Sequence, residues 1–156
     1  MPQENFSLGF AVDKSPREIF DAINNVRGWW TGEISGETNT LGAEFEYRYK
    51  DFHYSKQKIT ELVPGQKVVW HVVDAKLSKF SGDPGEWIGT DIVFDIASKD
   101  GQTIVTFTHQ GLVPQFECYG ACSNAWGMLV GKNLRQLIET GQGKEAHLKK
   151  LSEVNF

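Results

Sequence analysis

The sequence predicts an α+β fold in which a curved antiparallel sheet of about six to seven strands wraps around a long amphipathic helix near the C-terminus. Three observations carry this expectation. Period-two alternation recurs through residues 5–13, 43–50, 53–63, 67–75, 86–97 and 103–110, and turn signals separate most of these runs. Beyond Pro114 the apolar period becomes helical, placing Trp126, Leu129, Val130, Leu134, Leu137 and Ile138 on one stripe. The 156 residues match one domain and are enough to bury a core without a metal or disulfide staple.

The first run is half-apolar, with Phe6, Leu8, Phe10 and Val12 on one face and Ser7, Gly9 and Ala11 between them. Ser15-Pro16-Arg17-Glu18 then stacks three helix-start signals: a capping hydroxyl, a proline suited to the first helical position and a capping-box glutamate. Ile19, Phe20, Ile23 and Val26 give that short helix its apolar face over about 16–25, and Gly28 ends it before Trp29-Trp30-Thr31-Gly32. In Ala43–Lys50, Phe45, Tyr47 and Tyr49 oppose Glu44, Glu46 and Arg48. Asp51-Phe52 reads as a turn, so His53 is expected there, and extended chain resumes until Pro64-Gly65. Lys67–Ala75 is β-branched and aromatic, Ser78–Gly85 reads as a flexible loop, and Glu86–Ala97 alternates again. Lys99-Asp100-Gly101-Gln102 is a hairpin signal leading into Thr103–Gln110. The final helix is expected to begin between Phe116 and Ser123 and to stop at Gly141.

Composition narrows the function classes. A net charge of −4 and the lack of any basic cluster argue against general nucleic-acid binding, which needs cations to displace counterions from phosphates. Nowhere do eighteen apolar residues run together, so no membrane span is expected, and Met1-Pro2-Gln3-Glu4-Asn5 does not read as a secretory signal. Cys118 and Cys122 fit neither a zinc nor a redox spacing, no histidine pair has metal-ligand spacing, and there is no phosphate-binding glycine motif. No metal or cofactor is therefore expected. The carboxylate pairs Glu44/Glu46 and Asp91/Asp95 lie on polar strand faces, where solvation is the default.

Several segments together carry a resemblance. They are Ser15-Pro16-Arg17-Glu18-Ile19-Phe20, Trp29-Trp30-Thr31-Gly32, Leu41-Gly42-Ala43-Glu44-Phe45, and Ile59-Thr60-Glu61-Leu62-Val63-Pro64 with Val68-Val69-Trp70. Thr106-Phe107-Thr108-His109-Gln110-Gly111-Leu112 and Trp126-Gly127 complete the order. The chain resembles the START-like, helix-grip superfamily, and within it bacterial stand-alone homologues of the C-terminal domain of the heat-shock-protein ATPase activator. Ala125 replaces the usual glycine before the helix tryptophan. The resemblance covers nearly all of residues 5–141. On this reading 1–141 is a helix-grip domain and 142–156 a charged tail. It implies a ligand cavity between the concave face of the sheet and the long helix, and an association with the stress response.

Strand parity supplies the lining of such a cavity: Phe45, Tyr47, Trp70, Ile92, Phe94, Val105, Phe107 and His109 from the sheet, with Cys122, Trp126 and Val130 from the helix. Trp29 or Trp30 would close one end. His109 shares the parity of Val105 and Phe107. It reads either as a hydrogen-bonding group for a ligand or, with greater weight, as a structural histidine tying the strand end to the helix. His71 has the opposite parity to Trp70 and should face outward. The functional expectation is a cytoplasmic protein, monomer or homodimer, that binds a small apolar or aromatic ligand without covalent chemistry of its own. Two alternatives stay open: a chaperone-linked module with a protein partner, and a cyclase- or hydrolase-type enzyme using His109.

Overall fold

A computed structural model describes residues 5–30, 32–49, 53–76, 87–113 and 119–140. The expected loop at 78–85, the turn at Asp51-Phe52, Cys118, and the tail 142–156 lie outside the described residues.

Strand β1 (Phe6–Val12) leads to helix α1 (Pro16–Asn24), where the Ser15 hydroxyl accepts the Glu18 backbone N–H at 3.1 Å. Ile19, Phe20 and Ile23 are buried along α1, as its apolar stripe requires. After a single 3-10 turn, Val26–Gly28, come β2 (Glu33–Gly36), β3 (Glu44–Tyr49), β4 (His53–Val63), β5 (Lys67–Lys76), β6 (Asp91–Lys99) and β7 (Gln102–Gln110). The seven strands form one antiparallel sheet in the order β1-β7-β6-β5-β4-β3-β2. Asp100 and Gly101, both at positive φ, make the tight β6–β7 turn that the Asp-Gly pair signals.

Three elements differ from the expectation. Strand β2 has a single apolar residue, Ile34, in four, which is too little pattern to read; it is held at the sheet edge by the Arg27 guanidinium donating to the carbonyls of Ile34 and Gly36. Strand β6 starts at Asp91, whereas alternation suggested Glu86. Trp87–Gly89 form a turn with Gly89 at φ +86°, and the Thr90 hydroxyl donates to the Trp87 carbonyl at 2.6 Å. Ile88 is consequently exposed and Trp87 buried. His53 is the first residue of β4 and not part of a turn.

The ladder between β4 and β5 contains two irregularities. Asp74 opposes Lys56, but Val72 opposes Gln57, which leaves Val73 as an extra residue on β5; Thr60 is likewise extra on β4, between Ile59 and Glu61. Such bulges bend a sheet and re-aim side chains. They bracket three rungs, Gln57 with Val72, Lys58 with His71 and Ile59 with Trp70.

The C-terminal helix consists of α2 (Tyr119–Met128), a π-helical segment (Leu129–Leu134) and α3 (Arg135–Thr140). Trp126, Leu129, Val130, Leu134 and Ile138 are buried, in keeping with the stripe read from the sequence, while Leu137 is only partly covered. The π segment adds Asn133 to the buried face, where its Nδ2 donates to the Trp29 carbonyl at 3.1 Å. The core lies between this helix, α1 and the concave face of the sheet.

Candidate functional site

The eight sheet residues assigned to the concave face by parity are all buried, as are Cys122, Trp126 and Val130 on the helix. Their rings touch one another across the gap. Trp29, Trp30 and Trp70 stack nearly parallel with centroids 6.0–6.2 Å apart. Phe45 and Phe94 meet Trp70 edge-on at 5.0 and 5.1 Å, and Phe107 lies 4.8 Å from Trp126. Trp30 also stacks on Tyr47 at 4.2 Å and approaches Trp126 at 5.1 Å. The Trp29-Trp30 pair therefore lies within the cluster and not as a cap on one end.

Two residues that sequence reasoning left out complete the cluster. The His53 ring sits edge-on to Tyr47 at 5.0 Å and to Trp87 at 4.8 Å, and Trp87 stacks on Trp126 at 5.6 Å. His53 has the parity of Gln57 and Ile59, but the turn signal of the adjacent Asp51-Phe52 masks it. Trp87 lies in a turn, where no periodicity marks its direction.

His109 is tied into this end of the site through both ring nitrogens. The Trp126 indole donates to its Nδ1 at 3.1 Å, and its Nε2 lies 2.8 Å from the Thr90 hydroxyl. An indole N–H can only donate, so Nδ1 is bare; a neutral imidazole then carries its proton on Nε2 and donates to Thr90. The Thr90 hydroxyl passes its own proton to the Trp87 carbonyl. Burial, aided by the neighbouring His53, holds the His109 pKa down at about 3, and burial alone lowers that of His53 to about 4. Both rings are neutral at pH 7. The Tyr47 phenol is pushed upward by burial and then by Tyr49, against a hydrogen bond from Trp30, and stays protonated. His71 faces outward as expected, with its Nδ1 2.7 Å from the Asp91 carboxylate.

The polar atoms of the cluster divide into two groups. Trp29 donates to the Ile23 carbonyl at 3.2 Å, Trp30 to Tyr47 and Trp126 to His109. Among the described residues, the indole N–H groups of Trp70 and Trp87, Nε2 of His53 and Oε1 of Gln57 are buried with no hydrogen-bond partner. Gln57 is fully buried on the sheet floor, and its Nε2 donates to the Ser55 hydroxyl. A separate surface cleft of about 610 Å³ runs between α1 and the β2–β3 connection, lined by Arg17, Asn24, Arg27, Glu37 and Thr38 among others. Among the described residues no cluster of His, Cys, Asp and Glu is arranged to hold a metal ion, and no helix is long and apolar enough to cross a membrane.

This geometry can be set beside known proteins. The family model for activator of Hsp90 ATPase homolog 1-like proteins matches residues 13–139. The chain belongs to that family. A solved relative is the Aha1 dimer of Colwellia psychrerythraea, 26% identical, with 90% of this chain and 99% of that one aligned at a TM-score of 0.71. Protein MLL2253 of Mesorhizobium loti is 13% identical over 88% of this chain and 98% of its own, with a TM-score of 0.68. The DynU16 protein of the dynemicin biosynthetic locus is 16% identical, with 92% of this chain aligned to 50% of that one at a TM-score of 0.64. The last two likenesses speak for the fold alone. No curated protein matches the chain. The helix-grip fold expected from the sequence is thus the fold of this family member.

Proposed function

We propose that this protein binds a small, largely apolar or aromatic molecule between the concave face of the sheet and the C-terminal helix, in a cytoplasmic setting. One observation carries the reading: among the described residues, four buried polar atoms, on Trp70, Trp87, His53 and Gln57, have no partner inside a region built largely of packed rings. Each such group costs about 1–3 kcal/mol when nothing meets it. A bound molecule, seated by rearrangement of a few rings, would supply the missing partners and stack against indole faces. Catalysis by His109 gains no support from this geometry, because both of its nitrogens are already engaged and its proton affinity is low.

Native mass spectrometry of the purified protein, followed by thermal-shift titration with aromatic and lipid panels, tests the reading. A retained mass or a concentration-dependent rise in Tm is expected. No adduct together with no stabilisation across the panels would refute it.

Family membership favours a second reading, a chaperone-linked interaction module that can also self-associate. Added protein should then raise the ATPase rate of an Hsp90-type chaperone, and light scattering should give a dimer mass. An unchanged rate counts against the interaction role, and a monomer mass counts against self-association.

A further inference from the structure

We infer that Gln57 and Trp70 together read a hydroxyl group on the bound molecule, an inference that rests on the ligand-binding reading above. Gln57 is fully buried, directly opposite Phe45 on β3 and Val72 on β5, in a floor that is mostly apolar and also holds Ser55. The polar atoms of a primary amide in such a place are in the large majority of structures each met by at least one partner. Its Nε2 reaches Ser55, and its Oε1 reaches nothing. On the adjacent strand, Trp70 occupies the diagonal position on the same face, and its Nε1–H also lacks a partner. Diagonal cross-strand neighbours lie about 7–8 Å apart at the backbone, within reach of one shared small group. The two bulges at Thr60 and Val73 flank this same stretch, as they do where strands aim side chains at a site.

An unmet acceptor and an unmet donor at diagonal positions of one face select the chemistry. A hydroxyl donates to Gln57 Oε1 and accepts from Trp70 Nε1–H in one contact. A ketone or ether can only accept. An ammonium can only donate, and a carboxylate would leave Oε1 unmet. Reversing the amide makes two donors of the pair, from which a hydroxyl oxygen accepts as a ketone or ether does; 2-methoxynaphthalene, with no proton to give, separates the two orientations. Both nearby histidines are neutral at pH 7, so the site offers no counter-charge to an anion. The ligand class is therefore a neutral aromatic or alicyclic molecule bearing an alcohol or phenol.

The test uses matched probes of three sizes: toluene and p-cresol, naphthalene and 2-naphthol, biphenyl and 4-phenylphenol, with 2-methoxynaphthalene as an acceptor-only control. Dissociation constants of the wild-type protein are measured by calorimetry, and the indole N–H signals are followed by ¹⁵N NMR, assigned with Trp70→Phe. The hydroxylated member of the best-fitting pair should bind at least ~10-fold tighter than its parent, a ratio expected of one satisfied buried polar group. It should shift the Trp70 indole signal further downfield than its parent does, since only the hydroxylated probe adds a hydrogen bond to the ring-current change the two share. Gln57→Leu should erase the preference. If parent and hydroxylated probe bind equally, or if Gln57→Leu keeps the preference, the hydroxyl inference fails while ligand binding stands; a fixed water is then what Gln57 and Trp70 hold. If no member of any pair binds, the ligand-binding reading fails and this inference falls with it. Should Gln57→Leu not fold, the wild-type probe comparison and the Trp70 signal decide the matter alone.

Discussion

The indole N–H of Trp126 on the C-terminal helix donates to Nδ1 of His109 at the end of β7, across 3.1 Å, with both side chains buried. This bond joins the helix to the sheet at the end of the aromatic cluster and fixes the tautomer of the histidine. It also separates two kinds of tryptophan in one core, those whose N–H has a protein acceptor and those whose N–H has none.

That division can be measured. Trp126→Phe keeps a ring in place but strands Nδ1 of His109, and should lower stability by about 1–3 kcal/mol. Trp87→Phe removes an N–H that bonds to nothing, so only the smaller packing change should register and the loss should be well below that of Trp126→Phe. Urea denaturation of the two variants side by side checks this; equal losses would contradict the assigned bonding.

Acid should destabilise the fold through its histidines. The pKa of His109 falls from 6.5 to about 3 on folding and that of His53 from 6.5 to about 4, so the unfolded chain binds more protons over that interval. Their contribution is complete above about pH 6.5 and is lost as pH falls toward 4 and then 3, with a slope of up to ~1.4 kcal/mol per pH unit for each ring. Thermal melts between pH 7 and pH 4 should show this decline, and His109→Asn should make the decline shallower.

Gly32 allows the Trp30–Tyr47 stack to form. It sits at φ +146°, and a Cβ there would lie 2.5 Å from Tyr47 Cε1 and 2.8 Å from the Arg48 carbonyl. Gly32→Ala should cost about 1–3 kcal/mol and weaken the near-UV circular dichroism of the stacked rings. A variant with wild-type melting and an unchanged aromatic spectrum would show that the loop has room to adjust.

Much of this architecture is written in period and punctuation. The Ser15 cap, the Asp100-Gly101 turn and the inward parity of Phe45, Tyr47, Trp70, Phe94, Phe107 and His109 each follow from a local rule that the tertiary structure obeys. The candidate site was only half legible. Trp87 points inward from a turn, where direction depends on Gly89 and Thr90 and not on alternation. Asn133 is drawn inward by the π segment, which rotates the helix face away from regular 3.6 spacing. Which indoles lack an acceptor depends on contacts between distant strands, and no single-sequence rule reports such pairings.

The paired bulges of β4 and β5 bear on how this protein can diversify. One surplus residue, Val73, slips the ladder out of phase, and a second on the opposite strand, Thr60, slips it back. The three rungs between them thus form a short stretch offset by one residue from the ladder on either side. Deleting either residue would close its bulge and leave every remaining pair in place, so that only the local bend and twist of the floor beneath the helix would change. The shape of that floor can thus be altered at two single positions without disturbing the pairing that grips the helix.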